Sequence, residues 1–133
     1  MFDHVKFGVR NFGKSKTFYL KALEPIGVTE ITEYPPDGAE LYQPGGSSSL
    51  CLYQTEEKPA HLHIAFVAES RGQVDGFYRA ALAAGGRDNG PPGIRPQYSG
   101  RYYAAFVLDP DGHNIEVVCH LSEVPDESEL LDT

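Results

Sequence analysis

With 133 residues, 41% of them apolar and 23% charged, the chain has the length of one domain able to bury roughly two-thirds of its unfolded surface. Eleven basic residues against nineteen acidic ones leave a net charge of −8. A field of that sign disfavours phosphate backbones and anionic lipid, so neither nucleic acid nor a membrane is expected as a partner. The first ten residues alternate polar and apolar, unlike a secretion signal, and no run approaches the ~20 apolar residues of a membrane span. Cys51 and Cys119 then read as reduced thiols of a cytoplasmic protein, with a disulfide between them as the alternative.

Residues 3–9 alternate with period two, so a half-buried strand is expected with Val5, Phe7 and Val9 on one face and His4, Lys6 and Gly8 on the other. From about Lys14 to Leu23 the apolar residues fall at helical spacing, and Gly27 supplies a stop. Three short extended runs follow, 26–34, 39–43 and 48–53, divided by Pro-Pro-Asp-Gly and Pro-Gly-Gly turns, which predicts a three-stranded meander. The same order returns from His61: a strand to about Val67, a helix over about 72–84, a looser Pro/Gly-rich connection over 90–100, and strands from Tyr102 to Leu108 and His113 to His120 flanking Asp-Pro-Asp-Gly.

The second half is a copy of the first. His4, Phe7, Phe18, Tyr19, Ala22, Leu23 and Gly27 return as His63, Phe66, Phe77, Tyr78, Ala81, Leu82 and Gly86 at a constant separation of 59 residues. Gapless self-similarity of this kind means one supersecondary unit used twice, because neither copy covers its apolar face alone. The expected architecture is α+β, with two strand-helix-three-strand units at about 1–57 and 58–122 forming one domain, and an acidic tail over 123–133.

Facing parity selects the residues that carry chemistry. Ile115, Val117 and Cys119 share one face of the last strand and Glu116, Val118 and His120 the other, while His63 sits on the face matching His4. If the apolar faces pack on the helices, His4, His63 and Glu116 all point to the opposite side. Two imidazoles and a carboxylate suit Fe(II), Zn, Ni or Mn. His61, at the strand mouth, is expected to be exposed, His113, just after the turn, to be a turn-surface residue, and His120 to be a weaker alternative ligand. Where the 90–100 segment enters the next strand, Tyr98, Arg101, Tyr102 and Tyr103 cluster; a substrate wall is expected from Tyr98, Tyr103 and Tyr53, with Arg95 or Arg101 holding an anionic group.

The doubled unit, the His opening each copy and the closing Asp-Pro-Asp-Gly-x-x-Ile-Glu resemble the vicinal oxygen chelate superfamily of glyoxalases, fosfomycin-resistance enzymes, extradiol dioxygenases and bleomycin-resistance proteins. The resemblance covers about residues 2–120 and implies a cup-shaped mixed sheet with helices outside, and a homodimer whose units pair within one chain or swap between two. It places metal ligands at His4, His63 and Glu116. It also puts Cys51 where the glyoxalases carry Glu or Gln, so Cys51 is a candidate catalytic or ligating thiol, or a buried filler. The implied function is a divalent-metal-dependent lyase or isomerase acting on a small molecule with neighbouring oxygens. An extradiol-type dioxygenase and a metal-free binding protein are the alternatives.

Overall fold

The computed structural model describes residues 1–58 and 60–121; the acidic tail expected over 123–133 lies outside them. Strand β1 (His4–Val9) leads into helix α1 (Phe12–Ala22), a 3-10 turn (Glu24–Ile26), and strands β2 (Glu30–Tyr34), β3 (Gly38–Tyr42) and β4 (Ser49–Gln54). The second unit runs β5 (His63–Val67), α2 (Arg71–Ala83), β6 (Arg87–Ile94), β7 (Tyr103–Leu108) and β8 (Asn114–Cys119). Two four-stranded mixed sheets result, ordered β1-β4-β3-β2 and β5-β8-β7-β6. The repeat therefore holds at the level of topology, with His4 and His63 each the first residue of its opening strand.

Local chemistry accounts for the boundaries. The Asn11 and Ser70 side chains accept hydrogen bonds from the backbone N–H of Lys14 (3.0 Å) and Gln73 (3.2 Å), satisfying donors that the first helical turns leave orphaned. The repeated glycines serve different needs. Gly27 ends the 3-10 turn at φ 88°, where a side chain would be strained. At Gly86 a Cβ would lie 2.5 Å from Val107 and 2.7 Å from Phe18, so close packing excludes one.

Two expectations are corrected here. The first meander strand starts at Glu30, not Ile26, because Pro25 and Gly27 wind residues 24–26 into a 3-10 turn. The first part of the segment expected as a looser connection, 90–94, belongs to β6, a strand at the sheet edge. An edge position tolerates Pro91 and Pro92, which donate no ladder hydrogen bond, and the register slips at Gly90 and Gly93.

Both helices lie on one face of the sheets and pack on each other, with Pro25 against Gly76 of α2. A single apolar core joins the units, including Phe7, Phe18, Tyr19, Leu23, Leu52, Phe77, Val107, Ile115 and Val117. Polar ties cross between them as well. The buried Tyr19 hydroxyl donates to Asp109, whose carboxylate also accepts from the N–H groups of Asp111 (2.9 Å) and His113 (2.8 Å). His113 is buried rather than a turn-surface residue: its Nδ1 accepts the N–H of Leu62 at 3.1 Å and its ring meets Phe7 edge-on. Among the described residues no helix covers the other face of either sheet, and the polar residues that carry the site lie there.

Candidate metal and substrate site

On the open face of the second sheet, β5 and β8 run parallel with Ala65 paired to Glu116 and His63 paired to Asn114. Ala65 is too small to separate the two longer side chains. The Nε2–H of His63 donates to Oε1 of Glu116 at 2.7 Å. Glu116 is only 2% exposed, while His63 remains accessible at 54%. Oε2 of Glu116 accepts the hydroxyl of Tyr102, so both carboxylate oxygens have donors. Burial first, then the hydrogen bond and charge of Glu116, push the Tyr102 phenol up to about 12, so it remains a donor at ordinary pH.

The surroundings are aromatic and cationic. Tyr98 stands 4.8 Å from the Tyr102 ring, and His120 meets that ring edge-on at 5.3 Å. Arg95 lies over Phe106 at 5.2 Å, with two of its donors on the carbonyls of Pro91 (2.7 Å) and Gly93 (2.8 Å). The backbone passes close beside it: a Cβ at Gly90 or Gly93 would stand 3.2 Å from the guanidinium, and Gly90 has a φ of 148° that a side chain would strain.

The first sheet presents different groups at matching positions. Register pairs Lys6 with Cys51 and Cys51 with Glu40, so one row across β1, β4 and β3 carries an amine, a thiol and a carboxylate. Ser49 donates to Oε2 of Glu40 at 2.7 Å and Tyr34 to Oε1 at 3.2 Å, while the Cys51 thiol lies 4.0 Å from Oε2. The Lys6 ammonium sits 5.4 Å over the Tyr53 ring. A cavity of about 590 Å³ covers this face, lined by residues between His4 and Gln54 alone, including Glu40, Cys51 and Tyr53. A second cavity, of about 650 Å³, lies between the units on the helix-covered side, with Val5, Leu41 and Leu50 from one sheet and Ile64 and Phe66 from the other.

The expected residues are thus partly assembled. His63 and Glu116 meet. His4 is instead bound through Nδ1 to Asp3 at 2.7 Å, and among the described residues no three His, Cys, Asp or Glu side chains of one chain gather as a metal set. Cys51 and Tyr53 occupy the first sheet's open face, and Arg95 and Tyr98 the surroundings of Glu116. Arg101 is exposed, its N–H bonded to Ser99 Oγ at 3.1 Å. Tyr103 is corrected. Register places it with Cys119 on the helix-covered face, where its hydroxyl donates to Asp75 of α2 at 2.6 Å under the Arg71 guanidinium. Tyr102, one residue earlier, is the tyrosine on the open face, beside Tyr98 and bonded to Glu116. Cys51 and Cys119 are both free thiols, on opposite kinds of face. Glu40 escaped the sequence reading, although the alternation Ala39-Glu40-Leu41 puts its side chain opposite the buried pair.

Comparison with known proteins now adds to the geometry. The sequence model of the Glyoxalase/Bleomycin resistance protein/Dioxygenase superfamily matches residues 1–117. The chain belongs to that superfamily. The metallothiol transferase FosB of Shouchella clausii is 31% identical over 121 residues, spanning 86% of this chain and 77% of that protein. A glyoxalase/bleomycin resistance protein from Albidiferax ferrireducens superposes with a TM-score of 0.75 at 27% identity, covering 89% of this chain and 97% of the other. A lactoylglutathione lyase from Agrobacterium tumefaciens shares the fold at a TM-score of 0.68 and 17% identity, over 90% and 92% of the two chains. Among the described residues no helix is long and apolar enough to cross a membrane.

Proposed function

We propose that this glyoxalase-superfamily protein is a divalent-metal-dependent enzyme acting on a small molecule with neighbouring oxygens, and that it works as a homodimer. The observation that carries this reading is the His63–Glu116 pair, an accessible imidazole against a buried carboxylate on an open sheet face. An imidazole nitrogen and a carboxylate oxygen already converging fit a borderline divalent ion such as Zn, Ni, Mn or Fe(II). The third donor on this reading is His4 of a second copy, because one chain does not gather the trio. Bringing the first sheet of one copy over the second sheet of the other joins both open faces in one cup.

A bound ion would supply Lewis-acid polarisation of the substrate oxygens. The chain's own residues do the rest. Arg95, clamped on Phe106 by two carbonyls, receives an anionic group, and Tyr98 adds an aromatic wall beside Tyr102. Glu40, held by Ser49 and Tyr34, accepts a proton from the substrate, which gives the first sheet a base even though β4 carries Cys51 rather than a carboxylate.

The reaction type this favours is a lyase or isomerase. A metal-dependent thiol transfer is the second reading, carried by the similarity to FosB. Metal analysis of protein purified without chelator tests the common part, with close to one ion per chain expected. Protein that holds no ion and takes up none from Zn²⁺ or Mn²⁺ would leave a metal-free binding protein instead. Consumption of a free thiol by an added electrophile, against turnover of the methylglyoxal–glutathione adduct, separates the two reaction types.

A further inference from the structure

Tyr102 reaches Glu116 from outside the strands. Its backbone is fixed by the closed turn before β7, with Arg95 N–H donating to the Tyr102 carbonyl at 2.8 Å and Tyr102 N–H to the Ser99 carbonyl at 3.3 Å. Its ring is held by Tyr98 on one side and by His120 edge-on. The hydroxyl donates to Oε2 of Glu116, leaving Oε1 as the oxygen turned to His63. A buried carboxylate with one oxygen tied down cannot rotate its two oxygens freely, and outer partners that orient a ligand typically contribute 10–100-fold in metal affinity.

We propose that Tyr102 is a positioning residue that locks Glu116 as a one-oxygen metal ligand, so that the segment from Arg95 to Tyr102 sets the metal affinity of the site. The role rests on the metal-dependent reading above and goes beyond it, since it assigns control of the ion to a residue that touches neither ion nor substrate.

The test uses Zn²⁺ and Mn²⁺ alone, titrated by calorimetry into chelator-treated full-length protein, with the Co²⁺ absorption spectrum as a second readout. Tyr102→Phe keeps the ring and removes only the hydroxyl; we expect metal binding to weaken 10–100-fold and the Co²⁺ spectrum to change. Tyr103→Phe is the matched control, deleting a hydroxyl that bonds Asp75 on the other face, and should leave both readouts at wild-type values. If Tyr102→Phe does not fold, Tyr98→Ala removes the ring's support without touching the hydroxyl, and a smaller loss of a few-fold is expected. Wild-type affinity and spectrum in Tyr102→Phe, or in Tyr98→Ala where only that variant folds, would overturn the role. Failure of the wild-type protein to bind either ion would instead overturn the metal-dependent reading, and this role with it.

Discussion

The two open faces are built from the same strands in the same order, yet their central rows differ at three positions out of three. Lys6, Cys51 and Glu40 cross the first sheet where Ala65, Glu116 and Phe106 cross the second. The carboxylate has moved by one strand between the copies. In the second copy the small Ala65 lets Glu116 lean to His63; in the first, Lys6 fills that position and His4 turns to Asp3. Duplication preserved the core, which needs both apolar faces, and left the open faces free to diverge. On our reading one face became a ligand pair and the other the side that moves protons.

Ligand removal is the harshest test of that division. Glu116→Gln or His63→Ala should lower metal affinity by more than about 100-fold, whereas Cys51→Ala should leave metal content near wild type, as measured by elemental analysis. Loss of the ion from Cys51→Ala would move the ligand set onto the first sheet and erase the distinction.

Proton transfer comes next. Glu40→Gln should cut turnover by about 100-fold or more with unchanged metal content, the effect expected of a general base. With a thiol where glyoxalases carry a carboxylate or amide, turnover of the methylglyoxal–glutathione adduct should be weak, and Cys51→Glu should raise it. Robust wild-type turnover that survives both Glu40→Gln and Cys51→Ala would mean that neither supplies the base.

Stability effects are smaller and sit at the junction between the units. Tyr19→Phe leaves the ring in place and removes a buried hydroxyl from Asp109, for an expected cost of about 1–3 kcal/mol by chemical denaturation. Burial and Asp109 hold the Tyr19 phenol well above its usual value, and Tyr102 titrates near 12 against 10.0 unfolded. The folded state therefore keeps these protons longer, and their contribution to stability is complete below pH 10 and lost as pH rises through the folded values. Denaturation midpoints should fall above pH 10, and fall less steeply in Tyr102→Phe; equal slopes would contradict the assignment.

How far the sequence could be read depended on what each residue's signal encodes. Strand parity is local, so the placement of His4, His63 and Glu116 on open faces was legible, as was the doubled unit. Tyr103 was misplaced because it adjoins Tyr102 in a cluster whose strand boundary was uncertain by one residue, and one residue reverses the face. Prolines in β6 masked an edge strand, since their missing donors matter only where a neighbour needs them. His113 looked like turn surface; it is buried through contacts with Phe7 and Leu62, which lie 50 or more residues away in sequence and leave no trace in a local window. Glu40 carried a signal in its alternation with Ala39 and Leu41, and its meaning emerged once register set it beside Cys51 and Ser49.

The central claim is that each site joins His4 of one copy to His63 and Glu116 of another. Subunit complementation tests it most directly: His4→Ala and Glu116→Gln proteins, each unable to bind Zn²⁺ alone, are unfolded together, refolded as a mixture and titrated with Zn²⁺. The account predicts that a mixed dimer regains one wild-type site, formed by His4 of the Glu116→Gln chain with His63 and Glu116 of the His4→Ala chain. A mixture of confirmed mixed dimers that binds no more Zn²⁺ than its two parents would contradict it.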